Sequence, residues 1–95
     1  MNKNFIAQYT RNEECPSSYD DEVSFCDNLV ELAGLPANKA RGVLKALQSV
    51  TGLQWATIEY GVRGSLYVTL QNKYGKAFFV KVSNRGGIGD TIELE

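Results

Sequence analysis

The spacing of apolar residues changes period once in this chain, at Thr51-Gly52, and that change limits the folds open to it. Before it, Val23, Cys26, Leu29, Val30 and Ala33, then Ala40, Val43, Leu44, Leu47 and Val50, recur at steps of three and four. Such steps lay one apolar stripe along a helix. After it, Leu66, Val68 and Leu70 in SLYVTLQ and Phe78, Val80 and Val82 in AFFVKVS alternate with other residues. That is the period of a strand with one face buried. Helices followed by strands predict an α+β fold with the two kinds of element segregated.

The spacing predicts a first helix over about 21–33 and a second over about 36–50. Ser18 or Asp20 suits the N-cap of the first, and Asp21 and Glu22 favour its first turn, where the helix dipole is positive. Gly34 is the expected terminator, and Pro36 suits the start of the next helix, where a missing N–H costs nothing. Gly42 falls on the polar side of the second helix with Asn38, Arg41, Lys45 and Gln48, at a cost of about 1 kcal/mol relative to alanine. Either another backbone approaches closely there, or the glycine is a tolerated surface residue.

In the second half, NKYGK reads as a hairpin with the loop Lys73-Tyr74-Gly75 and Gly75 in the left-handed conformation. That register pairs Leu70 with Phe78 and Val68 with Val80, which leaves every apolar residue on one face. A preceding strand over about 53–60, turning through Gly61-Val62-Arg63, sets Ile58 opposite Leu66. A last strand in DTIELE adds Ile92 and Leu94 to the inner face after the flexible NRGGIG. The expected fold is a helical hairpin packed on one face of a three- to four-stranded antiparallel β-meander. It forms a single domain over 1–95: a weakly patterned segment 1–20, the helical hairpin 21–50 and the sheet 53–95. In the first segment Phe5, Ile6 and Tyr9 suit a short helix or an edge strand.

Elimination narrows the chemistry. There is no histidine, so neither an imidazole base nor a histidine metal site is available. Cys15 and Cys26 make no disulfide framework; Cys26 falls on the first helical stripe and is expected to behave as a small hydrophobe. The acids Glu13-Glu14 and Asp20-Asp21-Glu22 lack calcium-loop spacing, and NRGGIGD lacks the order of a phosphate loop. No enzyme activity, cofactor or metal is expected. The apolar runs fall short of a bilayer span and the N-terminus lacks a signal-peptide core, which predicts a soluble cytoplasmic protein without membrane contact.

A net charge of −1 conceals segregation. Residues 1–35 carry Lys3 and Arg11 against seven acids, whereas 36–85 carry eight bases against Glu59 alone. These charges either pair within the fold or present two faces of opposite sign. Parity also places Trp55, Thr69 and Phe79 in one row of the outer sheet face and Thr57, Tyr67 and Lys81 in the next. Three aromatics on a face that normally alternates to polar residues have three readings: coverage by residues 1–20 folding back, a protein partner, or stacked bases.

The stretch LAGLPANKARGVLKAL resembles the helix-turn-helix of winged-helix regulators, with Gly34 at the turn, Leu35 after it, and Val43 and Leu44 at packing positions of the recognition helix. The resemblance covers residues 29–70 and implies a wing in Trp55–Leu70, with Asn38, Lys39, Arg41 and Lys45 toward a major groove and Arg63 on the wing. The histone-like HU family also shows two helices around a Gly-Leu corner ahead of a sheet. In overall character the chain is similar to small phage-encoded inhibitors, anti-CRISPR proteins among them.

Two functions follow as expectations. The first is a non-enzymatic protein-binding module that inhibits a host complex by occluding its surface. It would use Trp55, Tyr67, Phe79 and Lys81, or Glu13, Glu14, Asp20, Asp21 and Glu22 against a basic nucleic-acid-binding partner. The second is a nucleic-acid binder using Asn38, Lys39, Arg41, Lys45 and Arg63.

Overall fold

The computed structural model describes residues 4–11 and 18–94, the first four of the second stretch by backbone alone. The chain runs β1 (Phe5–Thr10), α1 (Ser18–Glu31), α2 (Ala37–Gln48), β2 (Leu53–Tyr60), β3 (Leu66–Asn72), β4 (Ala77–Val82) and β5 (Ile92–Leu94). The strands form one antiparallel sheet in the order β1-β2-β3-β4-β5. Helix α2 packs on β2, β3 and β4, and α1 packs on α2. The α+β architecture is therefore the one the change of period predicts, with five strands where three or four were expected.

The helical stripe of α2 makes the core. Ala40, Val43, Ala46 and Leu47 are fully buried against Ile58, Leu66, Val68, Leu70, Val80 and Val82. Burying each of the larger aliphatic side chains contributes about 1.5–3 kcal/mol. Both helices are shorter at their C-terminal ends than the stripe suggests, and α1 starts earlier, at Ser18. Val30, counted in the stripe, is exposed, while Cys26 and Leu29 are buried. Gly34 (φ 73°) turns the corner, and the Leu35 amide donates to the Leu29 carbonyl at 3.2 Å. Pro36 then caps α2 with φ −59° and ψ 148°.

The β3–β4 hairpin forms as its turn chemistry requires: Leu70 faces Phe78, Val68 faces Val80, and Gly75 takes φ 85°. Asn72 anchors it from within, its buried Oδ1 accepting from the amides of Tyr74 (3.0 Å) and Lys76 (2.9 Å). The preceding hairpin keeps the expected face parity but shifts by two residues. Ile58 faces Val68, not Leu66, because a 3-10 turn at Val62–Gly64 lengthens the connection. A bulge between Leu53 and Trp55 then swings Leu53 into the core.

Register settles one open reading and corrects one expectation. Of the short helix or edge strand open to them, residues 5–10 form the edge strand β1 beside β2, with Ala7 opposite Ile58 and Tyr9 opposite Ala56, and so do not fold over the outer face. Tyr9 is thereby buried on the helical side, edge-on to Phe25 of α1 at 5.5 Å. At the other edge, Val82 bridges Ile88, but Phe79 then pairs with Ile92. The slip of one residue reverses every following side chain. Ile92 and Leu94 consequently lie on the outer face, 54% and 42% exposed, not on the inner one.

Gly42 resolves toward the close-approach reading. It is buried, and a Cβ there would stand 2.5 Å from the Gly86 carbonyl oxygen and 2.6 Å from Val82 Cγ1. The β4–β5 loop lies directly on α2, and Asn38 Nδ2 donates to the Arg85 carbonyl at 3.2 Å.

Candidate functional site

The outer face of the sheet is built by three cross-strand rows. The first runs Thr10, Trp55, Gln71, Ala77 and Leu94. The second runs Gln8, Thr57, Thr69, Phe79 and Ile92, and the third joins Phe5, Glu59, Tyr67 and Lys81. The shift in β2 thus separates Trp55 from Thr69 and Phe79, and Thr57 from Tyr67 and Lys81, by one row each. All six side chains still share the face, because a shift of two residues preserves parity.

Local contacts fix the aromatics in place. Tyr67 and Phe79 are diagonal neighbours with ring centroids 5.4 Å apart and planes tilted by 55°. Tyr67 rests over the backbone of Gly61, where a Cβ would stand 2.6 Å from the ring atoms Cε1 and Cζ. Trp55 Nε1 donates to Gln71 Oε1 at 2.6 Å, which holds the indole across the first row. Phe5, Ile92 and Leu94 extend the apolar surface toward both edges, and Lys81 is exposed beside Tyr67. Among the described residues no element packs on this face. The contribution of Phe5, Ile92 and Leu94 was hidden in sequence, since it depends on a bulge in β1 and on the slip before β5.

The acidic candidates divide. Glu22 is buried within the fold, 5% exposed, and so is not presented to a partner. Glu13, Glu14 and Cys15 lie outside the described residues, as do the side chains of Ser18, Asp20 and Asp21.

Of the second-helix candidates, Asn38, Arg41 and Lys45 stand on one exposed side of α2, at i, i+3 and i+7. Asn38 is bonded to the β4–β5 loop. Lys39 is half-buried and reaches toward Gly64, whose added Cβ would stand 3.5 Å from its Nζ. Arg41 borders a hollow with Cys26, Asp27, Val30 and Glu31 of α1, while Lys45 is exposed. Arg63 is not on a free wing, because β2 and β3 are both paired on each side within the sheet.

Cys26 remains a structural thiol. Burial pushes its pKa up, the neighbouring Asp27 charge adds to the rise, and Arg41 opposes it. The folded state therefore holds the proton more tightly than the unfolded chain does. This stability is fully present at neutral pH and declines as the pH rises above the ordinary thiol value of about 8.5. Cys26→Ala is expected to flatten that alkaline decline in urea midpoints measured from pH 7 to 10, and an unchanged slope would remove the thiol as its cause.

No described helix is long and apolar enough to cross a membrane, and no metal-ligating cluster occurs among the described residues. Compared with protein-family models, curated proteins and solved structures, the chain finds no match.

Proposed function

We propose that this chain is a non-enzymatic binding module that docks a protein partner on the open face of its sheet. The observation that supports the reading is the position of β1. It extends the sheet sideways, so the face carrying Trp55, Tyr67, Phe79, Ile92 and Leu94 has no covering layer among the described residues. Tyr67, Phe79, Ile92 and Leu94 adjoin in this face, with Trp55 set among Thr57, Thr69 and Gln71, and apolar side chains grouped on an open face mark an interaction site. Aromatic rings held by neighbours bind with little loss of side-chain freedom, and such rings dominate interface energetics. A module of this kind acts by occupying its partner's surface, as an inhibitor of a larger complex does.

The test is capture from a host lysate on immobilised protein, with and without nuclease. A partner held by the wild type should lose at least about 100-fold in affinity for Tyr67→Ala combined with Phe79→Ala. Circular dichroism should show that the double variant still folds. Equal capture by both proteins would remove the sheet face from the reading, and loss of capture on nuclease treatment would transfer it to nucleic acid.

A further inference from the structure

The end of the sheet where β2 turns into β3 and β4 leaves for β5 gathers cations from three separated parts of the chain. Val62, Arg63, Ser65, Lys81, Ser83 and Asn84 line a hollow of about 460 Å³ there. Its lining contains two cations and no carboxylate. Lys39 of α2 lies outside this lining but ends beside the same turn: a Cβ on Gly64 would stand 3.5 Å from its Nζ and 3.0 Å from Asn84 Oδ1. Among the described residues neither Arg63, Lys81 nor Lys39 makes an ion pair; the Lys76–Glu93 pair (3.9 Å) lies at the opposite end of the sheet. Cations brought together without a counter-charge repel one another, and that repulsion is relieved by an anion from outside.

The backbone beneath Arg63 points the same way. Arg63 is the one non-glycine residue with positive φ among those described (φ 56°, ψ 36°). Arginine is poorly suited to that conformation, which glycine or asparagine adopts more easily. The turn is nevertheless locked, with the Gly61 amide donating to the Ser65 carbonyl (2.8 Å), and both the amide (3.1 Å) and hydroxyl (2.6 Å) of Ser65 donating to the Val62 carbonyl. Among the described residues the exposed Arg63 side chain makes no hydrogen bond or ion pair within the fold that would offset the strain. Ser83 Oγ accepts from the Gly87 amide at 3.0 Å, which leaves its own proton to donate. Backbone strain carried by a charged residue at the mouth of a hollow is characteristic of a functional site.

We propose that this hollow is a phosphoryl-binding cleft, with Arg63 and Lys81 on the phosphate oxygens, Ser83 as a neutral donor and Lys39 behind. A guanidinium fork beside an ammonium suits a group with several charged oxygens better than a single carboxylate. The phosphoryl group comes either as free phosphate or as a link of a single-stranded nucleic acid whose bases stack on the adjacent Tyr67. The inference shares Tyr67 and Lys81 with the sheet-face reading, but its probes need no protein partner, so each can fail without the other.

The experiment is an amide chemical-shift titration of the full chain at constant ionic strength, with inorganic pyrophosphate, a ten-residue oligothymidylate and a glutamate-rich peptide as separate probes. Saturable shifts are expected at 62–65 and 81–86. Lys81→Gln and Arg63→Gly should each weaken pyrophosphate binding about tenfold, equivalent to about 1.4 kcal/mol. Lys73→Gln, at the far end of the sheet, should bind as the wild type does. Arg63→Gly gives the positive φ to a residue that adopts it freely, so its melting temperature should not fall and its loss of binding reports the lost charge. Oligothymidylate binding at least tenfold tighter than pyrophosphate assigns the strand as source; binding no tighter assigns free phosphate. The proposal is overturned by unsaturable shifts with both phosphate probes, by an equal loss in Lys73→Gln, or by a peptide that binds as tightly.

Discussion

Gly86→Ala is expected to destabilise the fold by about 3 kcal/mol, which for a domain of this size lowers the melting temperature by more than about 10 °C. Two effects combine. At φ 90° Gly86 occupies backbone space that an L side chain rarely takes, and its added Cβ would overlap the carbonyl of Asn38. The obstacle is helix backbone, so no rotamer change relieves it. The loop must lift from α2, and in lifting it exposes Gly42 and breaks the Asn38–Arg85 hydrogen bond. Gly42→Ala attacks the same contact from the helix side and should cost a similar amount. Thermal unfolding followed by circular dichroism reads both; a Gly86→Ala midpoint within about 3 °C of wild type would show that the loop does not rest on the helix.

Ile58→Ala is expected to cost about 3–4 kcal/mol, against less than about 1 kcal/mol for its neighbour Thr57→Ala. Ile58 is fully buried under α2 in the middle of the sheet, with Ala7 and Val68 on either side. Removing its methyl groups leaves a cavity that flanking strands cannot close without bending. Thr57 points the other way, between Gln8 and Thr69 on the open face. Urea midpoints of the two variants therefore measure the difference between a packed and an unpacked side of one strand. Equal losses would mean that the outer face is covered as tightly as the inner one, and would count against docking there.

What could be read in the sequence depended on whether local chemistry settled the geometry. The β3–β4 hairpin was legible because Gly75 and the parity of Phe78 and Val80 specify one register. The helical hairpin was legible from its stripes and from Gly34 and Pro36. The β2–β3 register was not, because the turn uses a left-handed arginine, a choice with no sequence signature. Ile92 and Leu94 were assigned to the wrong face because the Val82–Ile88 bridge and the Phe79–Ile92 pair differ in register by one residue, which the glycine-rich NRGGIG does not signal. The same dependence explains the candidate sites. Trp55, Tyr67, Phe79 and Lys81 share a face by parity alone, whereas Ser83 and Asn84 line one hollow with Arg63 only after the loop has docked.

The position of β1 also bears on how the chain assembles. Strands β2, β3 and β4 pair with immediate neighbours through short turns, so they can form while little of the chain is ordered. β1 instead finds β2 only after both helices have been threaded between them, and closing that long loop carries a larger entropic cost. Its edge position then leaves it bonded on one side only. Amide protons of β1 should therefore exchange with solvent through partial openings that leave β3 intact.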